Sequence, residues 1–397
     1  MKILVLLDSD WFWKGPHQYH HLLERLSLKG HEIIITDFAN YWHLTEGNLF
    51  SKKKVFNSIS RFYENSNLTV IRPSFIRLPL FDYASFLLSS RSEIKKIIKE
   101  FEPDVVIGFT SILSSYWGVK YAKKNNIPFI YYWLDVNHEL IPNKLFRTLG
   151  KTIERKIIEN SSEIIAINEV LREYMVNLTP KSPKSCVIRG GVDFKRFNPD
   201  EINGKLIREK YGFSQDDFIL FFMGWLYEFS GLEELVLDIS KVKDDYPKLK
   251  LLIVGEGDQY QKLKDIITEK GLQDTVKLSG KRPYDEIPSL ISSSDICLLI
   301  ARNNEIMRNI VPIKIYEYLA MQKPVISTEL TGVIKEFGLN NGLIYIKGPE
   351  KAFETIINLN QEDLNFAKEQ ARLFIKNYSW DEIITDFEAL LSSIKEK

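Results

Sequence analysis

Lys314 and Glu317 are the residues whose types and spacing most plainly suggest chemistry. They lie three apart in the stretch Val311-Pro312-Ile313-Lys314-Ile315-Tyr316-Glu317-Tyr318-Leu319-Ala320-Met321-Gln322-Lys323-Pro324-Val325-Ile326-Ser327. Pro312 suits the first turn of a helix, because its φ is fixed and its missing N–H is not needed there. Ile315 and Leu319, with Tyr316 and Ala320, recur at i, i+4 toward a core, so Lys314 and Glu317 share one face. A lysine in the first turn of a helix can hold phosphate, through free N–H groups, the helix dipole and its own point charge. A carboxylate one turn further in can accept two sugar hydroxyls. Diphosphate plus ribose is the outline of a nucleotide-sugar. The plain alternative is an amphipathic helix with both charges in solvent.

The elements that must position this pair follow an α/β grammar. Lys2–Leu7 is a continuous apolar run suited to a central parallel strand. A helix is expected over His17–Lys29, closed by Gly30, and a strand over Glu32–Thr36. Further strands fit Leu68–Arg72, Asp104–Phe109, Pro128–Trp133, Glu163–Ile167 and Ser185–Ile188, with helices including Arg91–Phe101 and Tyr116–Lys124 between them. Residues 38–66 are aromatic, basic and irregular. In the second half, strands fit Phe218–Met223, Leu251–Val254, Val276–Ser279, Ile296–Ile300, Val325–Ser327 and Leu343–Ile346. Two doubly wound parallel sheets are the expectation. No G-x-G-x-x-G follows the first strand, which argues against a dinucleotide oxidoreductase.

Composition agrees. A chain of 397 residues is long for one domain and natural for two of roughly 200. Cys186 and Cys297 lack metal-ligand spacing and read as buried hydrophobes in a reducing compartment, so the sequons at Asn67, Asn160, Asn177 and Asn377 carry no weight. No signal core or membrane span is expected, and the reading is a cytoplasmic protein, soluble or peripheral. The zero net charge hides an asymmetry: residues 1–190 hold 26 Lys and Arg against 19 Asp and Glu, and the remainder 27 against 34. The basic half favours an anionic partner such as a membrane surface or a phosphate-bearing acceptor. Arginine-rich blocks are missing, so nucleic acid is not indicated.

Two motifs in order give the pattern a family. The Lys314 stretch resembles the P-x-K-x-x-E-Y-x-A-x-x-K-P-V-[IV] donor helix of family 4 glycosyltransferases (glycosyl transferases group 1), which have the GT-B fold. Arg189-Gly190-Gly191-Val192-Asp193-Phe194-Lys195-Arg196-Phe197-Asn198-Pro199 resembles the motif that closes their first domain. The resemblance implies an N-terminal Rossmann-like acceptor domain over 1–198 and a nucleotide-sugar domain over 199–376. These face a central cleft, and a C-terminal helix over 377–397 returns to the first domain. It implies transfer of a sugar to a glycan or lipid-linked acceptor, with anomeric retention and no metal. Glu317 would bind the ribose and Lys314 the diphosphate. Gly15, Gly224 and Gly231 would permit close backbone approach, and Pro312 would start the donor helix. Asp135 or His138, after the strand ending at Trp133, would face the acceptor, unless they are a structural aspartate and a helix cap. Asp8-Ser9-Asp10 looks like the D-x-D metal motif of GT-A enzymes, and its place right after the first strand makes coincidence the better reading.

The chain departs from the family at two donor positions. Trp225 stands where the family has an arginine and Ser230 where it has a lysine, so both diphosphate cations are missing. Asn309 replaces the first member of the E-x7-E pair. Lys314 is the expected substitute, with Arg308, Arg302, Lys281 and Arg282 in reserve, and Ser230 and Gly231 offering neutral hydrogen bonds. Two rivals on this fold stay open. A nucleotide-sugar 2-epimerase would be expected to carry more carboxylates and histidines in the second half, which has no His. A catalytically inactive sugar-nucleotide-binding subunit would bind donor without turnover.

Overall fold

The computed structural model describes residues 1–13, 15–141, 143–304 and 307–395. The chain folds as two compact units, Met1–Arg189 with the C-terminal segment from Trp380, and Gly190–Ser379.

The first unit is built on strands β1 (Lys2–Leu7), β2 (Glu32–Thr36), β3 (Phe50–Ser51), β4 (Lys54–Ile59), β5 (Leu68–Arg72), β6 (Phe75–Ile76), β7 (Val105–Phe109), β8 (Phe129–Trp133), β9 (Glu163–Ala166) and β10 (Lys184–Val187). The main sheet runs β10-β9-β8-β7-β1-β2-β5-β4, and β3 pairs β6 apart from it. Its pairings are parallel except that β4 runs antiparallel to β5. The apolar runs of β1, β7 and β8 are buried throughout or nearly so, as strands covered on both faces must be. The helices are α1 (Gln18–Leu28), α2 (Phe81–Phe101), α3 (Leu113–Lys124), α4 (Lys144–Asn160) and α5 (Glu169–Leu178).

The second unit carries β11 (Phe218–Met223), β12 (Leu249–Val254), β13 (Val276–Leu278), β14 (Ile296–Leu299), β15 (Val325–Thr328) and β16 (Leu343–Ile346) in the order β13-β12-β11-β14-β15-β16. All its pairings are parallel. Around them lie α6 (Lys205–Tyr211), α7 (Leu232–Val242), α8 (Tyr260–Glu269), α9 (Ile287–Ser292), α10 (Ile313–Ala320), α11 (Thr331–Phe337), α12 (Ala352–Asn358) and α13 (Gln361–Phe374). The last helix, α14 (Trp380–Lys395), belongs to the first unit. There His21 stacks on Trp380 at 4.7 Å and Glu388 receives His31 Nε2 at 2.7 Å.

Three features differ from the sequence reading. The boundary lies between Arg189 and Gly190, not between 198 and 199. The Gln18 carboxamide donates to the carbonyls of Ile188 (2.9 Å) and Arg189 (3.1 Å) and so ties the chain to the first unit up to that point. Val192 then donates its N–H to Tyr378 O at 2.8 Å, and Phe197 is fully buried in the core of the second unit. The return crossing likewise falls at Ser379/Trp380 rather than at 376/377. Second, residues 38–66 are not irregular throughout, because β4 adds an edge strand. Buried Glu24 then holds the turn after β4 by accepting the N–H groups of Arg61, Phe62 and Tyr63. Third, α2 starts ten residues before Arg91.

Asp8-Ser9-Asp10 has a structural use. Asp8 accepts the N–H groups of Ile112 and Leu113, both at 2.7 Å, and Ser114 Oγ at 2.6 Å, so it caps α3 from another strand. Asp10 accepts Phe12 N–H at 2.8 Å and Arg72 Nη2 at 2.7 Å. Both carboxylates are thus committed to the fold. Asp8→Ala is expected to lower the unfolding free energy by about 2 kcal/mol, since it orphans helix N–H groups. Urea denaturation reads this, and an unchanged midpoint would remove the cap from the account.

Candidate functional site: a lysine and a carboxylate on one helix

The second unit assembles its polar side chains at the ends of β11 and β12. β11 runs into Gly224, whose φ of +136° suits glycine, and the turn after β12 meets it there. A Cβ on Gly255 would fall 1.9 Å from Gly224 O, so the two turns touch backbone to backbone. Gly224 N–H donates to Val254 O and Leu226 N–H to Glu256 O, at 3.0 and 2.9 Å. This fixes the path of the chain beside α10.

Helix α10 begins at Ile313 with Pro312 in the N-cap position, one residue earlier than expected for that proline. Its apolar side, including Ile315, Tyr316 and Leu319, is fully buried in the core. That packing leaves Lys314 reaching along the end of β11. Lys314 Nζ donates to Met223 O at 2.9 Å and lies 4.2 Å from the centre of the Phe222 ring. A Cβ on Gly224 would sit 3.3 Å from this ammonium. Burial pushes its pKa down to about 8, against the pull of Glu317.

Glu317, one turn on, is buried and accepts the Tyr284 hydroxyl on Oε1 at 2.7 Å. Burial pushes its carboxyl up to about 7, opposed by the Tyr284 hydrogen bond and by the charges of Arg196 and Lys314. The Arg196 guanidinium lies 4.7 Å from the Tyr284 ring. A cation and a carboxylate with shifted pKa values, held on one rigid helix, can engage an anionic group and neighbouring hydroxyls together.

The other expected donor residues divide. Ser230 is buried and its hydroxyl has no hydrogen-bond partner among the described residues. Gly231 sits at φ +71° at the head of α7, where a Cβ would crowd Pro349 and Ile300 O. Arg308 is exposed and its side chain has no ion-pair partner among the described residues. Asn309 is packed closely under Gly332. Arg282 is committed to Glu286 through Nε and Nη2, and Arg302 to Glu234, so neither stands ready for an anion. The indole of Trp225 approaches Asp258 Oδ2 at 3.5 Å.

In the first unit, Asp135 follows β8, where open parallel sheets place functional groups. It keeps part of its surface, has no hydrogen-bond or ion-pair partner among the described residues, and is raised by burial to about 6. His138 departs from the acceptor-facing expectation. It is buried, with Nδ1 on Glu154 and Nε2 on Tyr174 Oη at 3.0 Å, so both ring nitrogens are spent inside the fold. Gly15, at φ +124°, leaves room for His20, whose ring a Cβ would meet at 2.8 Å.

Residues 204–379 match the family described as Glycosyl transferases group 1, and residues 18–196 match Glycosyltransferase Family 4. The chain belongs to the family 4 glycosyltransferases. Among curated relatives it is 23% identical over 190 residues to alpha-D-kanosaminyltransferase of Streptomyces kanamyceticus, covering 47% of each chain. It is also 23% identical over 197 residues to alpha-monoglucosyldiacylglycerol synthase of Streptococcus pneumoniae, covering 48% of this chain and 44% of that one. The chain thus spans about half the length of the curated relatives it matches. The solved structure of Anabaena Alr3699/HepE in complex with UDP superposes with a TM-score of 0.69 at 17% identity, over 99% of this chain and 100% of that one. That likeness establishes the GT-B fold.

Two members of the cluster around Glu317 were missed in the sequence, Tyr284 and Arg196. Arg196 stands inside the linker motif, two residues before Asn198, and its charge was the available signal. Tyr284 gave none, because only the fold brings the loop after β13 over α10. The pKa values predict a bell-shaped pH dependence of ligand affinity at this site. Protonation of Glu317 near 7 removes the hydroxyl acceptor on the acid side, and loss of the Lys314 proton near 8 removes the cation on the alkaline side. Tyr284→Phe deletes a hydrogen bond that favours the ionised carboxylate, so the acid limb should move to higher pH while the alkaline limb stays. Titration calorimetry across pH reads both limbs; an acid limb unmoved by Tyr284→Phe would detach Tyr284 from the site.

Proposed function

We propose that the chain moves a sugar from a nucleotide-diphosphate sugar, with UDP as the favoured carrier, to a glycan or lipid-linked acceptor in polysaccharide or glycolipid synthesis. The observation that carries this reading is Lys314 on α10, its ammonium held against Met223 O beside the bare backbone of Gly224. In this reading Lys314 bears the diphosphate and Glu317 offers its unpartnered oxygen to the ribose, with Pro312, Gly224, Gly231 and Ser230 shaping the approach. Charge building on the leaving diphosphate is the main electrostatic demand of the transfer, and a preorganised cation in a partly dry site meets it best. Arg308 is the second cation, taking over from the missing arginine–lysine pair. Asp135 meets the acceptor hydroxyl; His138 does not enter. Transfer proceeds with retention and without a metal ion. The UDP complex of Anabaena HepE supports the carrier, and a relative named for monoglucosyldiacylglycerol supports a lipid acceptor. Among the described residues no helix is long and apolar enough to cross a membrane, and the protein works as a peripheral enzyme at the inner face of the cell membrane.

One observation favours a second reading, a donor-binding subunit without turnover: Arg282 and Arg302 are already paired with glutamates. Differential scanning fluorimetry against UDP-, GDP- and ADP-sugars tests the site. A UDP-sugar should stabilise the protein, and Glu317→Ala and Lys314→Ala should each weaken its affinity by about ten-fold or more. A shift untouched by either change sinks the assignment. Turnover then separates the readings. Asp135→Asn should keep the donor-induced shift yet lower kcat by at least about 100-fold, whereas donor binding with no transfer to any acceptor pool would establish the subunit, and acceptor-independent release of sugar the 2-epimerase.

A further inference from the structure

Exposed large apolar side chains are scattered singly over the second unit, but in the first they gather in two places. One is the turn entering α2, where Leu80 is 73% and Phe81 59% exposed, with Phe50 at 67% on the neighbouring β3–β6 pair. Leu80 holds φ at +70°, a conformation costly for a leucine, and spends it on presenting its side chain to water. The other place is the first turns of α4. Its later residues Ile157 and Ile158 are buried, but Leu145, Phe146 and Leu149 are 77%, 48% and 55% exposed.

The two patches lie at one end of the sheet. Leu113, the first residue of α3, packs on the cluster containing Phe86 of α2. Ile112, just before it, lies 3.6 Å from where a Cβ on Gly150 of α4 would be. The starts of α2 and α4 therefore flank the start of α3. Basic side chains border both patches. Lys52 and Lys54 adjoin Phe50, and Lys144 precedes Leu145; all three are exposed and without an ion-pair partner among the described residues.

We propose that this end of the first unit docks on an anionic lipid bilayer, with Leu80, Phe81, Leu145 and Phe146 entering the acyl boundary and Lys52, Lys54 and Lys144 on the headgroups. Apolar side chains rimmed by unpaired lysines fit a negatively charged surface with an oily layer beneath it. Lys53, between two of them, is paired with Glu93, so the free charge beside Phe50 lies on Lys52 and Lys54. The inference names the surface for the membrane contact above, and it is independent of how Lys314 and Glu317 bind donor.

Co-sedimentation of the full chain with phosphatidylcholine vesicles, and with phosphatidylcholine–phosphatidylglycerol vesicles, tests it. The protein should pellet with the mixed vesicles only, and raised salt should release it. The paired changes Leu80→Asp with Phe81→Asp, and Leu145→Asp with Phe146→Asp, should each weaken binding at least about ten-fold. Lys52→Glu with Lys54→Glu should do the same on the anionic vesicles. Circular dichroism and the donor-induced thermal shift, both unchanged, show that the variants fold. Equal pelleting with neutral vesicles, no pelleting with either, or folded variants that bind undiminished would overturn the proposal. So would a wild-type dimer in sedimentation velocity that these same changes abolish, since the face would then belong to a second copy.

Discussion

A charged amine held away from bulk water, with a carbonyl and an aromatic face for company, is the constraint around which the second unit is arranged. Lys314 donates to Met223 O and rests over Phe222. Such a group is costly to keep charged without an anion, and its lowered pKa expresses that cost. Glu317 one turn away supports the charge, but burial outweighs that pull. Among the described residues no carboxylate forms an ion pair with it, so the helix presents a cation suited to an anionic ligand. The glycine turns after β11 and β12 keep the approach to that cation free of side chains.

Much of this was legible in the amino-acid sequence, for a definite reason. Buried parallel strands are continuous apolar runs, so β1, β2, β5, β11 and β16 have the expected bounds. Lys314 and Glu317 lie within one helical turn, and local spacing is what a sequence displays best. The edge strand β4 was not legible, because an exposed strand such as Lys54–Ile59 has no apolar signature. The unit boundary was missed because it depends on Gln18, some 170 residues away in sequence. Tyr284 and His138 illustrate the same limit. One joins the site, and the other is withdrawn from it by Glu154 and Tyr174, through contacts that no local pattern encodes.

The departures from the family pattern gain a physical sense from the coordinates. In the proposed donor site, with Trp225 and Ser230 in place of two cations, the electrostatic load would fall on Lys314 and Arg308. Arg282 and Arg302 cannot share it without giving up glutamate partners. Tyr227 and Phe229 stack at 4.7 Å in the same turn, so the segment has exchanged charge for aromatic surface. In the proposed donor site that exchange leaves Lys314 and Arg308 as the cations and adds aromatic surface for stacking.

The backbone contact between Gly224 and Gly255 also limits how this protein can diversify. A side chain on Gly255 would collide with Gly224 O, and one on Gly224 would press on Lys314 Nζ, so these two turns are closed to loop remodelling. In the proposed donor site, a new sugar preference would then come from exchanged side chains nearby, at positions such as Trp225, Ser230 and Tyr284.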